Sequence, residues 1–343
     1  MRPPFRLLLV LVCTLSCAVL VAACGGSDDK SGDAGAEQTL QQTFGATAGT
    51  IERGRLNANL NLAPEGLLKL GGPIALRLNG PFEAPSGNDL PRFALSFLAT
   101  LAGQQFDGKA TSTGTKAFVT LDGGAYSVDD RFVRKLRRGL GKASATPQSG
   151  LGSLGIDPQS WIKNPEGKGQ ERVAGVQTDR VGGDVDVAKL LADVARLLRK
   201  AGGGDSLLTP KLRGQIADAV KSAKVDVWSG ADDHILRQIA VVVSFAFKDG
   251  QSPIQGLDGG RLTLRARLDD VNGAPVKIVA PENPRPLSRL TGEGGLGALL
   301  GGFGAGITGG IGPGAGGSKL LSCLTNAGGS SAEIVRCVAD LAP

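Results

Sequence analysis

The sequence predicts an α+β fold in which one curved antiparallel sheet carries helices against one face. Three observations predict it. From about Thr50 to Val128, short segments alternate apolar and polar residues with a period of two; segments with helical spacing follow; period-two segments then return before Pro281, Pro284 and Pro286. Such alternation puts one face of each strand against a core and the other in water, as in antiparallel sheets.

The chain opens with a segment that stands outside this fold. Arg2 and Arg6 precede an apolar run, Leu7 to Leu20, that is short for a membrane span, and Val21-Ala22-Ala23-Cys24 follows it. Small residues directly before a cysteine form a lipobox, so residues 1–23 read as a lipoprotein signal peptide and Cys24 as the thiol that is acylated. The expected mature chain runs from Cys24 to Pro343, held by acyl chains. Residues 24–36, rich in Gly, Ser, Ala and Asp, lack the apolar surface to order themselves and read as a flexible tether.

The elements of the main domain, residues 37–285, come next. A short helix is expected over Glu37 to Phe44, with Leu40 and Phe44 on one face. Leu56, Ala58, Leu60 and Leu62 then alternate with Asn57, Asn59 and Asn61, and Ile74, Leu76 and Leu78 begin a second strand. Phe93 to Leu101, Phe106 to Thr113, Lys116 to Leu121 and Ala125 to Val128 complete a meander, the last two joined by Asp122-Gly123-Gly124. Asp129 or Asp130 caps a helix with Phe132, Leu136 and Leu140 on one face. Asp157-Pro158 opens a short helix carrying Trp161, and Gln170 to Asp184 forms two strands turning near Gly175. Asp186 caps a strong helix through Val187, Leu190, Leu191, Val194 and Leu198, and Thr209-Pro210 starts another. Lys224 to Trp228, Ile235 to Phe247 and Arg261 to Val271 supply the remaining strands. Residues 286–318 are a Gly-rich linker and 319–343 a helical tail, stapled by Cys323 and Cys337 because an even pair in an extracytoplasmic chain pairs as a disulfide.

Composition narrows the function. A formal charge of +6, two units of which leave with Arg2 and Arg6, is no nucleic-acid signature over this length. With 11 Phe, 2 Trp and 1 Tyr, aromatic side chains are too few for base-stacking platforms. The single histidine, His234, sits at a turn without Cys or His at ligand spacing, and no Gly-Xaa-Ser-Xaa-Gly elbow occurs. The Gly-rich run from Gly292 to Gly317 lacks the Gly-Lys-Ser or Gly-Lys-Thr ending of a phosphate loop. Asp129-Asp130, Asp232-Asp233 and Asp269-Asp270 lie at turns or strand ends, where solvation accounts for them. The chain is therefore expected to be no enzyme and to need no metal or cofactor; a hydrolase using only Asp and Glu stays open.

Several segments together resemble the LppX and LprG family of actinobacterial cell-envelope lipoproteins, whose fold is similar to the LolA and LolB lipoprotein carriers. They are the lipobox at Cys24, the stretch from Phe118 to Tyr126, Val173 to Thr178, Gly183 to Val187 leading into Lys189-Leu190-Leu191, and Val225 to Trp228 before a long strand. The resemblance spans about Glu37 to Ala280. It implies a half-barrel sheet wrapped over helices, with helices on its concave face and a hydrophobic cavity for the acyl chains of lipids or glycolipids during transport across the envelope.

The expectation is a lipoprotein on the outer face of the cytoplasmic membrane, anchored through Cys24, with membrane lipids or glycolipids as partners. Apolar alternation nominates Leu56, Leu60, Phe93, Leu95, Phe97, Val241, Val243 and Phe245 as the lipid-binding lining. Arg131, Arg134, Lys135, Arg137 and Arg138 are candidates for docking on anionic headgroups. The alternative is a structural or protein-interaction lipoprotein with a filled core, whose tail contacts a protein partner.

Overall fold

A computed structural model describes residues 29–45, 49–66, 72–85, 87, 89–101, 104–141, 158–200, 209–248, 252, 257–291, 323, 333, 336 and 337. The signal segment, Cys24 and residues 292–318 lie outside the described residues, as does most of the tail, while residues 286–291, read from the sequence as the start of the linker, belong to the fold. Within the tail, Cys323 and Cys337 form a disulfide, their Cα atoms 5.7 Å apart.

The chain follows the order α1 (Asp29–Phe44), β1 (Arg53–Glu65), β2 (Ile74–Glu83), β3 (Arg92–Leu101), β4 (Gln104–Thr113), β5 (Ala117–Leu121), β6 (Gly124–Ser127) and α2 (Asp130–Gly141). It continues through α3 (Pro158–Trp161), β7 (Ile162–Val173), β8 (Val176–Val185), α4 (Val187–Lys200), α5 (Pro210–Ala219), β9 (Val220–Gly230), β10 (Leu236–Ala246), β11 (Gly259–Asp269), β12 (Arg285–Pro286) and α6 (Ser288–Thr291). Among the described residues, twelve strands join one open sheet in the order β12-β6-β5-β4-β3-β2-β1-β11-β10-β9-β8-β7. Every pairing is antiparallel except β12 with β6. The architecture is the α+β curved sheet with helices that the alternation predicts.

Local chemistry sets the boundaries. Asp122 and Gly123 turn β5 into β6 with φ of 48° and 74°, and Ala174 and Gly175 turn β7 into β8 in the same way. Asp129 Oδ1 accepts the backbone amides of Arg131 and Phe132 and so caps α2, in which Val133, outside the predicted apolar line, is buried. Thr209 Oγ1 accepts Leu212 N at 3.2 Å, and Pro210 fills the first turn of α5. The edge strand β7 is guarded against further pairing by two irregularities in its register and by exposed Lys163, Glu166 and Lys168.

Two differences from the sequence reading matter. The helix α1 reaches back to Asp29, so residues 29–36 are helical rather than part of a tether. Ala36 and Leu40 are each 2% exposed, and once those turns are docked, each further residue adds a hydrogen bond without a new nucleation cost. The proline-rich stretch also does not simply end the domain. Residues 270–287 cross one end of the sheet, with Asn272 N donating to Arg53 O, Arg92 Nη2 donating to Ile278 O, and Leu287 N donating to Ser127 O. That path ends in β12 and buries Ile278 and Leu287.

Asp186 connects the sheet to α4. Its Oδ1 accepts Lys189 N at 3.1 Å, and Lys163 Nζ lies 2.9 Å from its Oδ2. The hydrogen bond from Lys163, followed by that from the Lys189 amide, holds the carboxyl below its ordinary value. Its contribution is complete above the ordinary carboxylate range and fades as pH falls through the lowered value. Asp186→Ala is expected to cost about 1 kcal/mol in urea unfolding at neutral pH, the usual cost of a lost N-cap. The gap from the parent chain should narrow in acid.

Candidate functional site

Antiparallel pairing brings residues of matching parity into continuous rungs across the sheet. One rung runs Val227, Ile239, Ala266, Ala58, Leu78, Phe97 from β9 to β3. The next runs Val225, Val241, Leu264, Leu60, Leu76, Ala99, and a third Ala223, Val243, Leu262, Leu62, Ile74. All three rungs lie on one face. The opposite face carries Asn57, Asn59, Asn61, Arg77, Arg265 and Arg267.

The apolar face is covered unevenly. On the β7 to β9 side, Ala36 and Leu40 of α1 pack with Val181, Val225 and Val227 into a buried cluster. On the β5 to β6 side, Val133 and Phe132 of α2 pack with Leu121, Tyr126, Val128, Leu90 and Leu287. Between these sealed flanks, Leu56, Ala58, Leu60 and Leu62 of β1, Ile74, Leu76 and Leu78 of β2, and Leu262 and Leu264 of β11 are only half-buried. Among the described residues, the centre of the sheet is thus a trough-like apolar face whose side chains are half-buried rather than buried.

All eight nominated lining residues stand on this face and are half-buried. Leu56 faces Leu268, Leu60 faces Leu264, and Val241 and Val243 face Leu264 and Leu262 across β11. Phe245 faces Gly260, and its ring meets Phe247 edge-on with centroids 5.7 Å apart. Phe97 lies opposite Leu78 and Gly108, Leu95 opposite Ala110, and Phe93 opposite Phe82 and Ser112. Leu76, Leu262 and Leu264 share the centre of the trough without having been nominated. Their alternation is visible in the sequence, but only the register places them beside Leu60 and Val241.

The basic residues of α2 are less uniform. Arg131, Arg134, Lys135 and Arg138 are exposed, whereas Arg137 is half-buried and its Nη2 lies 2.7 Å from Asp89 Oδ1 in the β2–β3 connection. On the polar face, the Arg180 guanidinium stacks 4.9 Å over Trp228, pairs with Asp226 at 3.2 Å, and leaves Trp228 Nε1 to donate to Glu171. These contacts tie β7, β8 and β9 together on the side away from the trough.

One member of each acidic pair has a structural partner. Asp129 caps α2, Asp233 accepts both Ile235 N and the Arg237 guanidinium, and Asp269 accepts from Asn57 and pairs with Arg267 at 2.8 Å. Among the described residues, no three His, Cys, Asp or Glu side chains are grouped to hold a metal ion. What the face can do chemically is bury hydrocarbon.

No family model and no curated protein sequence matches the chain. Among solved structures it is similar to LprF from Mycobacterium bovis, at 16% identity over 72% of this chain and 97% of that one, with a TM-score of 0.39. It is also similar to the lipoprotein LppX from Mycobacterium tuberculosis, at 15% identity over 72% of this chain and 100% of that one, with a TM-score of 0.37. Both belong to the LppX and LprG family whose segments the sequence resembles.

Proposed function

We propose that this chain is a membrane-anchored lipoprotein that holds the acyl chains of lipids or glycolipids in the trough of its sheet, for passage across the cell envelope. The observation that carries the reading is the run of apolar rungs from β10 through β11, β1, β2 and β3, left half-buried between flanks sealed by α1 and α2. Burying each CH₂ of a cargo chain is worth about 0.8 kcal/mol, so laying a long acyl chain along these rungs offsets much of its removal from the bilayer. The lipobox ending at Cys24 supplies the attachment, on the outer face of the cytoplasmic membrane. No helix among the described residues is long and apolar enough to cross a membrane.

Native mass spectrometry of the chain from residue 25 onward, purified from a lipid-containing host, is expected to show masses above the polypeptide that match bound lipid. Finding the bare polypeptide alone, before and after incubation with vesicles, would overturn the reading and favour a filled-core interaction protein.

A further inference from the structure

The two ends of the trough differ, and the difference orients the molecule. At one end, where β1, β3 and β11 meet Arg53, Arg92 and Asp269, residues 270–287 run across the strand ends and bury Ile278 and Leu287. At the other end, the rung of Leu62, Ile74, Leu262 and Val243 stays half-buried, with the Phe245 ring beside it. One end is closed by the chain itself. At the other, among the described residues, Leu257 is buried beside the start of β11 while the rung itself stays half-buried.

The direction of α1 says which end the lipid anchor reaches. Thr43 Oγ1, near the C-terminal end of α1, donates to Ser229 Oγ at 2.7 Å, next to the β9–β10 turn at the closed end. The 16 residues of α1 extend about 24 Å, and the helix lies along β7, β8 and β9 and touches α3, which leads into the first residue of β7. Its first residue, Asp29, therefore lies toward the open end, where β8 finishes and β9 begins. Cys24 is five residues before Asp29, and five residues span at most about 18 Å even when fully extended. An acylated Cys24 cannot place the closed end of a sheet this long on the bilayer while the open end points away.

We infer that the end of the sheet bearing Leu62, Ile74, Leu262, Val243 and Phe245 is the surface that docks on the lipid bilayer. This inference rests on the proposed anchoring at Cys24. It adds that cargo reaches the trough along the strands, past the half-buried rung, rather than across the sheet. The orientation also directs the exposed basic residues near the start of α2 away from the membrane, because Asp129 follows the end of β6 at the closed end.

The test uses the full acylated chain in vesicles of phosphatidylcholine and phosphatidylglycerol carrying nitroxide-labelled lipid. With Cys24 acylated and Cys323 joined to Cys337, an introduced cysteine is the free thiol of the mature chain. Glu65→Cys and Lys248→Cys label the open end, and Lys277→Cys the closed end; all three positions are exposed, so the fold should tolerate each change. A fluorophore at residue 65 or 248 is expected to lose most of its emission, and one at 277 almost none. Equal quenching at all three, stronger quenching at 277, or none at any position would overturn the orientation. The outcome is separable from cargo binding: bare polypeptide in the mass spectrum with this quenching pattern removes the carrier reading and keeps the orientation. Bound lipid with the reverse pattern removes the orientation alone.

Discussion

Val227→Asp is expected to leave the chain unfolded at neutral pH, and Leu60→Asp to leave it folded but unable to hold lipid. Both residues are apolar and inward on neighbouring rungs, so sequence pattern does not distinguish them. Coverage does. Val227 is 0% exposed among Ala36, Leu40, Val181 and Val225, and a carboxylate there would have no partner. An unpaired buried charge costs several kcal/mol, enough to remove most of the roughly 5–15 kcal/mol that stabilises an ordinary domain. Leu60 is half-buried at the centre of the trough, where a carboxylate can keep part of its hydration and cost about 2 kcal/mol or less. An acyl chain lying against Leu264 and Leu76 would strip that hydration, so the substitution acts on binding. Guanidinium unfolding and native mass spectrometry of both variants read the two effects. If Leu60→Asp unfolds as readily as Val227→Asp, the rungs are a solid core and the carrier reading fails; if it folds and still binds lipid, cargo does not lie on this rung.

That pair also marks how far the sequence could be read. Period-two alternation locates β1 to β6, β8, β10, β11 and the Lys224 to Trp228 part of β9, because a strand with one wet face must alternate. It also fixed which residues share a face, so all eight nominated side chains share the trough face. It could not say which were covered, since that depends on where α1 and α2 dock across strands remote in sequence. The first part of β7, Ile162 to Gly169, escaped notice because an exposed edge strand carrying Lys163, Glu166 and Lys168 has no apolar period to detect. The strand β12 escaped for a related reason. Arg285 and Pro286 are both exposed, and their place beside Tyr126 and Ser127 comes from pairing alone. Gly and Asp content predicts too late a start for α1, because it reflects local propensity while the docking of Ala36 and Leu40 is tertiary.

Gly80→Ala should destabilise the protein far more than Gly123→Ala, although both replace a glycine whose φ lies outside the region favoured by side chains. The φ values are 154° and 74°. At Gly123, in the β5–β6 turn, an added Cβ meets nothing within 4 Å, so the cost is backbone strain alone, about 1 kcal/mol. At Gly80 the Cβ would lie 2.1 Å from Ala94 O and 3.1 Å from Leu95 Cα, both backbone atoms of the neighbouring strand. No rotamer change relieves that overlap. β3 must move away from β2, and strain plus overpacking together should cost about 2–5 kcal/mol. The site is informative because the β2–β3 ladder has no rung between Asn79 opposite Ser96 and Phe82 opposite Phe93. Gly80 and Pro81 occupy that gap, and Gly80 faces Leu56 on the trough side of β1. A glycine there lets the Ala94 carbonyl of β3 lie close against the backbone of β2, beside Leu95 on the trough face. Paired urea unfolding curves decide the point: equal losses for the two variants would mean that close approach at Gly80 does not shape the sheet. A larger loss at Gly80, with weaker lipid retention in whatever fraction remains folded, ties the curvature of the sheet to the volume it can offer a lipid.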